Sequence, residues 1–160
     1  MPTFVHITSE DLAKKARRSG LRPGKSVRAL NGVFAMPVTP DFQITHQWMR
    51  EIRQWKSARM VGVYFKIPDS ERVHVGNYRG PHEEVSAAEA AAHVMLQTDM
   101  TGVEVIIPRR IEPKEILRVR HLPQLIGWRH YPGAHGTRPW ACECCQKGAY
   151  GSRRIRERYA

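Results

Sequence analysis

Gly102-Val103-Glu104-Val105-Ile106-Ile107-Pro108 is the most β-branched stretch of the chain, and a single carboxylate interrupts it. Side chains alternate across a strand, so Glu104 leaves on the face opposite Val103, Val105 and Ile107. The spacing predicts a central strand. An ionised carboxylate held in apolar surroundings costs on the order of several kcal/mol unless it is paired or its pKa rises. Glu104 is therefore a candidate functional group. A glutamate on a solvent-facing strand side, or one paired with an arginine, accounts for the same pattern equally well.

Working back from this strand, residues 86–97 open with Ser86-Ala87-Ala88-Glu89, in which Ser86 and Glu89 can satisfy each other's backbone donors. The alanine-rich body that follows predicts a helix. Residues 61–67 place Val61, Val63, Phe65 and Ile67 on one face, and residues 72–78 are expected to pair with them across Pro68-Asp69-Ser70. Pro40 can open a helix running to about residue 57, with Ile44, Trp48, Ile52 and Trp55 on one face. Those tryptophans and Met49 are read as core. Residues 33–38 form a short extended stretch, and residues 3–8 alternate as a strand. Thr8 or Ser9 then caps a helix carrying Leu12, Ala13 and Ala16, which Gly20 ends.

On the other side, Pro113 starts a helical turn and residues 116–122 return to extended structure. Beyond Trp128 glycines and prolines dominate until a short basic tail. Strands and helices mix without the regular alternation of a doubly wound sheet, so the fold class is α+β.

A chain of 160 residues with 41% hydrophobic and 26% charged residues is one globular domain. No apolar run approaches the roughly 20 residues of a spanning helix. The first residues carry no basic and apolar signal block, which gives the expectation of a cytoplasmic protein without membrane contact. The three cysteines, Cys142, Cys144 and Cys145, are clustered and odd in number, a poor disulfide framework. With His130 or His135 they would complete four zinc ligands, but the spacing differs from a Cys-x2-Cys knuckle. The expectation is no metal site.

The net charge of +11 is lopsided: residues 109–160 hold 12 Lys/Arg against 4 Asp/Glu. A basic field this concentrated raises affinity for polyanions, which makes nucleic acid, single-stranded DNA or RNA, the expected partner. The alternative is a basic soluble protein whose charge has no partner. Arg109, Arg110, Arg153, Arg154, Arg156 and Arg158 are the candidate phosphate contacts. His6, within Val5-His6-Ile7-Thr8, is a candidate that on its own reads more simply as a satisfied core histidine. Loops and pairs for nucleotide triphosphates, dinucleotide Rossmann folds, zinc proteases and serine hydrolases are absent from the sequence.

In order, three pieces resemble the ADP-ribosyltransferase superfamily. His6-Ile7-Thr8, then a capped helix and Gly20-Leu21, is similar to its opening strand, helix and turn. Gly32-Val33-Phe34-Ala35 before a helix is similar to its second element, with Phe34 where the family usually has tyrosine. Gly102 to Pro108, with Ile111, Pro113 and Ile116 after it, is similar to its glutamate strand and following turn, above all in the DNA-targeting toxins. The resemblance covers residues 3–122 and implies an α+β fold of two packed, mostly antiparallel sheets with helices around an NAD cleft. Residues 123–160 would be a basic, cysteine-containing extension of the same domain.

That resemblance implies an NAD-dependent mono-ADP-ribosyltransferase, a toxin or defence effector modifying nucleic acid, with an antitoxin as a partner. It implies Glu104 as catalytic carboxylate and His6 and Thr8 at the nicotinamide ribose and amide. Phe34 or Phe42 would stack on nicotinamide, and Arg28 would contact the pyrophosphate. The rivals are a protein-modifying enzyme of the same kind and a non-catalytic nucleic-acid-binding module on the same fold. An RNA 2′-phosphotransferase has a related fold but works with histidine and arginine, so Glu104 argues against it.

Overall fold

A computed structural model describes residues 1–24, 30–54, 58–124 and 126–127. Seven strands form one open antiparallel sheet: β1 (Thr3–Ser9), β2 (Val33–Pro37), β3 (Met60–Lys66), β4 (Arg72–Asn77), β5 (His82–Ser86), β6 (Val103–Ile107) and β7 (Ile116–His121). Their order across the sheet is β5-β4-β6-β2-β1-β3-β7. The class is α+β, with a single sheet where the resemblance implies two packed ones. That sheet is nevertheless narrow at its centre. The β1–β2 ladder consists of Phe4 with Pro37 and Val5 with Met36, whereas β1 and β3 stay in register from Thr3–Lys66 to Ser9–Met60.

One face carries Phe4, Val63, Phe65, Val75, Val105 and Ile107 under Ala13 and Ala16 of α1 (Glu10–Ser19) and Ala87, Ala90 and Val94 of α4 (Ala87–Leu96). Small alanines let both helices lie close to the branched strand residues. The other face buries Ile7, Met60, Leu122 and Ile126 around Met49 of α3 (Trp48–Gln54). Ser9, not Thr8, caps α1, its hydroxyl accepting from the Leu12 amide at 3.4 Å. Gly20 ends that helix at φ +72°, and a β-carbon there would overlap the Ile111 carbonyl oxygen. Leu21 and Ile111 then exchange backbone hydrogen bonds of 2.9 and 3.0 Å, tying the α1 turn to the segment just after β6. The Ser86–Glu89 capping box on α4 forms as expected.

Two expectations are corrected. Residues 61–67 and 72–78 are both extended but do not pair, because β3 lies between β1 and β7 and β4 between β5 and β6. The Pro68–Glu71 turn instead carries the chain from one half of the sheet to the other. The single helix expected over 40–57 is two: α2 (Phe42–Thr45), capped by Asp41 rather than opened by Pro40, and α3. The break turns His46 and Gln47 inward. The Gln47 side-chain amide donates to the Met100 carbonyl at 2.8 Å and accepts from the Gly102 amide at 2.7 Å, bonds that a continuous helix would not deliver. Trp55 lies outside the described residues.

No described helix is long and apolar enough to cross a membrane.

Candidate active site at the seam of the sheet

The narrow β1–β2 contact is where the candidate residues meet. Past Val5 and Met36 the ladder stops, and the His6 ring bridges the gap instead, its Nδ1 lying 2.6 Å from the Phe34 carbonyl oxygen. A carbonyl only accepts, so Nδ1 carries the proton. His6, Phe34, Met36, Trp48, Ile52 and Glu104 all line a cavity of about 170 Å³ beside this seam. Three strands far apart in sequence, β1, β2 and β6, thus each deliver one predicted residue to the same space.

His6 also lines a second, wider cleft of about 540 Å³ on the α1 side, together with Thr8, Lys15, Arg18, Gly20 and Arg22. Because Ser9 does the capping, the Thr8 side chain is left to this cleft. The two spaces share one histidine and differ in character. The smaller holds aromatic rings and a carboxylate; the larger has a cationic rim.

Glu104 leaves the sheet opposite Val103 and Val105, as its strand position predicts. Its side chain is only 16% exposed, and its Oε1 lies 3.1 Å from Nε2 of His82, a ring that is 5% exposed. The sequence pattern alone offers this carboxylate a solvent-facing side or an arginine; the structure gives it a buried histidine. The register explains how the ring arrives. Glu104 stands across from Gly76 on β4, and Gly76 stands across from His82 on β5. Two strand spacings separate Glu104 from His82, about 9–10 Å of backbone, so their side chains must meet above the middle strand. Glycine leaves that space empty. A β-carbon at Gly76 would sit 3.1 Å from the His82 Cγ and overlap the Pro81 carbonyl oxygen.

The residues just before Glu104 are pinned from the other side. The Trp48 indole donates to the Val103 carbonyl at 2.9 Å, next to the Gln47 bond on Gly102. The catalytic candidate is therefore held on a rigid strand with its neighbours locked by side chains from α3 and the α2–α3 break.

Other candidates fall elsewhere. Phe42 is not among the residues lining either space; its ring packs on His46 at 4.3 Å between centroids and against the Met49 cluster. Arg109 is consumed by structure. Its guanidinium donates to both oxygens of Glu71 and both of Glu115, at 2.7–3.0 Å, and to the Arg110 carbonyl at 2.7 Å. These bonds use all five of its N–H donors. They raise its pKa further and hold Glu115 below the usual carboxylate range. Arg109 thus clamps the end of β6 to the β3–β4 turn and to the 3-10 turn at Pro113–Glu115, and its expected phosphate contact is withdrawn. Arg110, more exposed, donates to the Ser19 carbonyl at the end of α1 and lies 3.8 Å from Glu112. Arg28, Arg153, Arg154, Arg156, Arg158 and the cysteines Cys142, Cys144 and Cys145 lie outside the described residues. Among the described residues no cluster of three or more metal-ligating side chains occurs.

The structure adds a basic pair on the edge strand that the sequence reading does not single out. Arg118 and Arg120, two residues apart on β7, both lie over the Tyr64 ring, at 4.9 and 5.9 Å from its centroid. Neither has a carboxylate partner among the described residues. The alternation of β7, which sets both arginines on one face, is the signal that could have found them.

No protein-family model, curated protein or solved structure matches the chain.

Proposed function

We propose that this chain is an NAD-dependent mono-ADP-ribosyltransferase with an ADP-ribosyltransferase-like fold. The observation that carries the proposal is the convergence of His6, Phe34 and Glu104 on one small cavity where the sheet is narrowest. NAD supplies a ribosyl group whose bond to nicotinamide breaks with positive charge developing on the ribose. A fixed carboxylate beside that carbon stabilises the charge, as in glycoside cleavage. Glu104 is the only carboxylate lining the cavity among the described residues. Phe34 offers an aromatic face for the nicotinamide, the part that Phe42 does not reach. The neighbouring cleft, with Lys15, Arg18 and Arg22, has the cationic lining that a pyrophosphate requires.

The test is binding. Ligand that binds only the folded state stabilises it by RT ln(1 + [L]/Kd), about 2.7 kcal/mol at a hundredfold excess. NAD should raise the melting temperature of the full chain, and His6→Ala should weaken the shift. A wild-type melting curve unmoved by millimolar NAD sinks the proposal.

Nucleic acid is the proposed acceptor, a reading supported by the basic C-terminal third and by Arg118 and Arg120 over Tyr64. Each phosphate contact releases counterions and contributes a salt slope of about −0.7 for single strands. Filter binding at several salt concentrations should therefore show a slope that flattens by roughly 1.4 when Arg118 and Arg120 become alanine. Labelled NAD offered with separate pools of single-stranded DNA, duplex DNA, RNA and protein identifies the acceptor. Label appearing only on protein would overturn the nucleic-acid assignment.

A further inference from the structure

Building on the ADP-ribosyltransferase reading, we propose that His82 is the residue that positions Glu104, reaching it over Gly76. The geometry has three parts. His82 Nε2 lies 3.1 Å from Glu104 Oε1, and both side chains are largely removed from water. The two residues share one register line through Gly76, so the imidazole crosses the intervening strand over the one position without a side chain. A β-carbon at that position would lie 3.1 Å from the ring Cγ and, more tightly, would overlap the Pro81 carbonyl oxygen.

The chemistry gives this contact a purpose. Ionised Glu104 can only accept, so Nε2 donates. A glutamate has three side-chain torsions, and a carboxylate that must wait for the developing ribosyl charge gains when they are set beforehand. His82 approaches from the β4–β5 side, whereas Phe34, Met36 and His6 line the cavity on the β2–β1 side. Among the described residues the histidine is not in the lining of that cavity, so its action runs through the glutamate. The Gly102 and Val103 anchors fix the backbone of the strand. His82 fixes the reacting group at the end of the side chain.

Steady-state NAD cleavage by the full-length protein tests this with three variants. His82→Ala should lower kcat by about 10- to 100-fold, the range that a hydrogen bond to a charged group is worth. KM for NAD and the NAD-induced melting shift should stay near wild type. His82→Gln, which can still donate an N–H to the carboxylate, should recover part of the lost kcat. Gly76→Ala, whose β-carbon would crowd the ring and overlap the Pro81 carbonyl oxygen, should lower kcat as well.

Wild-type protein that neither binds nor cleaves NAD overturns the activity, and this inference with it. Active wild type with an equally active His82→Ala overturns the inference alone. So does a His82→Ala variant that loses kcat and NAD binding together with no recovery in His82→Gln, because that is the pattern of a structural defect. If His82→Ala does not fold, His82→Gln and Gly76→Ala decide the matter: both with unchanged kcat would overturn it.

Discussion

Replacing Glu104 with glutamine should lower NAD cleavage by about 10²–10³ while leaving the fold intact, the loss expected when one preorganised electrostatic group is removed from a site. Glutamine keeps the shape and can still accept from His82, but it carries no charge to set against a developing oxocarbenium ion. NAD binding should persist, because Phe34, His6 and the cationic cleft are unaltered. The signature is thus a fall in kcat with the NAD-induced melting shift retained. A variant keeping more than about a tenth of wild-type turnover, far short of that factor, would remove Glu104 from the mechanism.

The parts of this site that could be read in the sequence are those set by alternation along one strand. Period-two spacing gave Glu104 its face, and β-branched density made β6 a buried strand. Capping chemistry gave both ends of α1 and the start of α4 for similar local reasons. What alternation does not encode is which edges pair. Residues 61–67 and 72–78 are good strands separated by a good turn, the pattern of a hairpin, yet each is enclosed by other partners. The break after Thr45 is hidden for a related reason. Nothing local forbids a helix through His46 and Gln47; their polar side chains leave it because β6 and Tyr64 offer them partners.

His82 is invisible in the sequence because His82-Glu83-Glu84 has no apolar alternation to mark a strand, and the structure makes it the edge strand β5. The sequence does carry one clue, the isolated glycine inside Arg72-Val73-His74-Val75-Gly76-Asn77. Glycine weakens a strand, and its presence marks a close approach by something else. Here the approaching group is an imidazole on its way to a carboxylate.

These polar contacts share an arrangement. Gln47 and Trp48 hold the backbone before Glu104, His82 holds its side chain, and Arg109 clamps the far end of β6. Sites built on strands keep their geometry better than sites on loops, provided surrounding hydrogen bonds lock the rotamers. The cost is a set of buried polar groups that must stay paired, and one buried group beyond these contacts makes the domain sensitive to protonation.

That group is His46. The His46 contribution to stability should be level above pH 6.5 and fall as the pH is lowered from there towards 4. Burial is the main cause: it pushes the His46 pKa from 6.5 down to about 4, assisted by the nearby Arg120 charge and opposed by the hydrogen bond to Phe42. The ring is held in its neutral form, with Nδ1–H donating to the Phe42 carbonyl at 2.6 Å and Nε2 accepting from the Tyr64 hydroxyl at 2.6 Å. Protonating Nε2 would turn that acceptor into a donor facing a tyrosine already covered by two arginines. Between the two pKa values the unfolded chain binds the extra proton and the folded one does not, so stability drops by about 1.4 kcal/mol per pH unit, about 3 kcal/mol in all. Glu89 and Glu115, whose folded pKa values lie below the ordinary 4.5, lose their contributions only at lower pH. Urea melts of wild type and His46→Gln at pH 7, 6 and 5 should therefore diverge, with only the wild type carrying this slope. Parallel curves would show that His46 titrates no differently in the folded and unfolded chains.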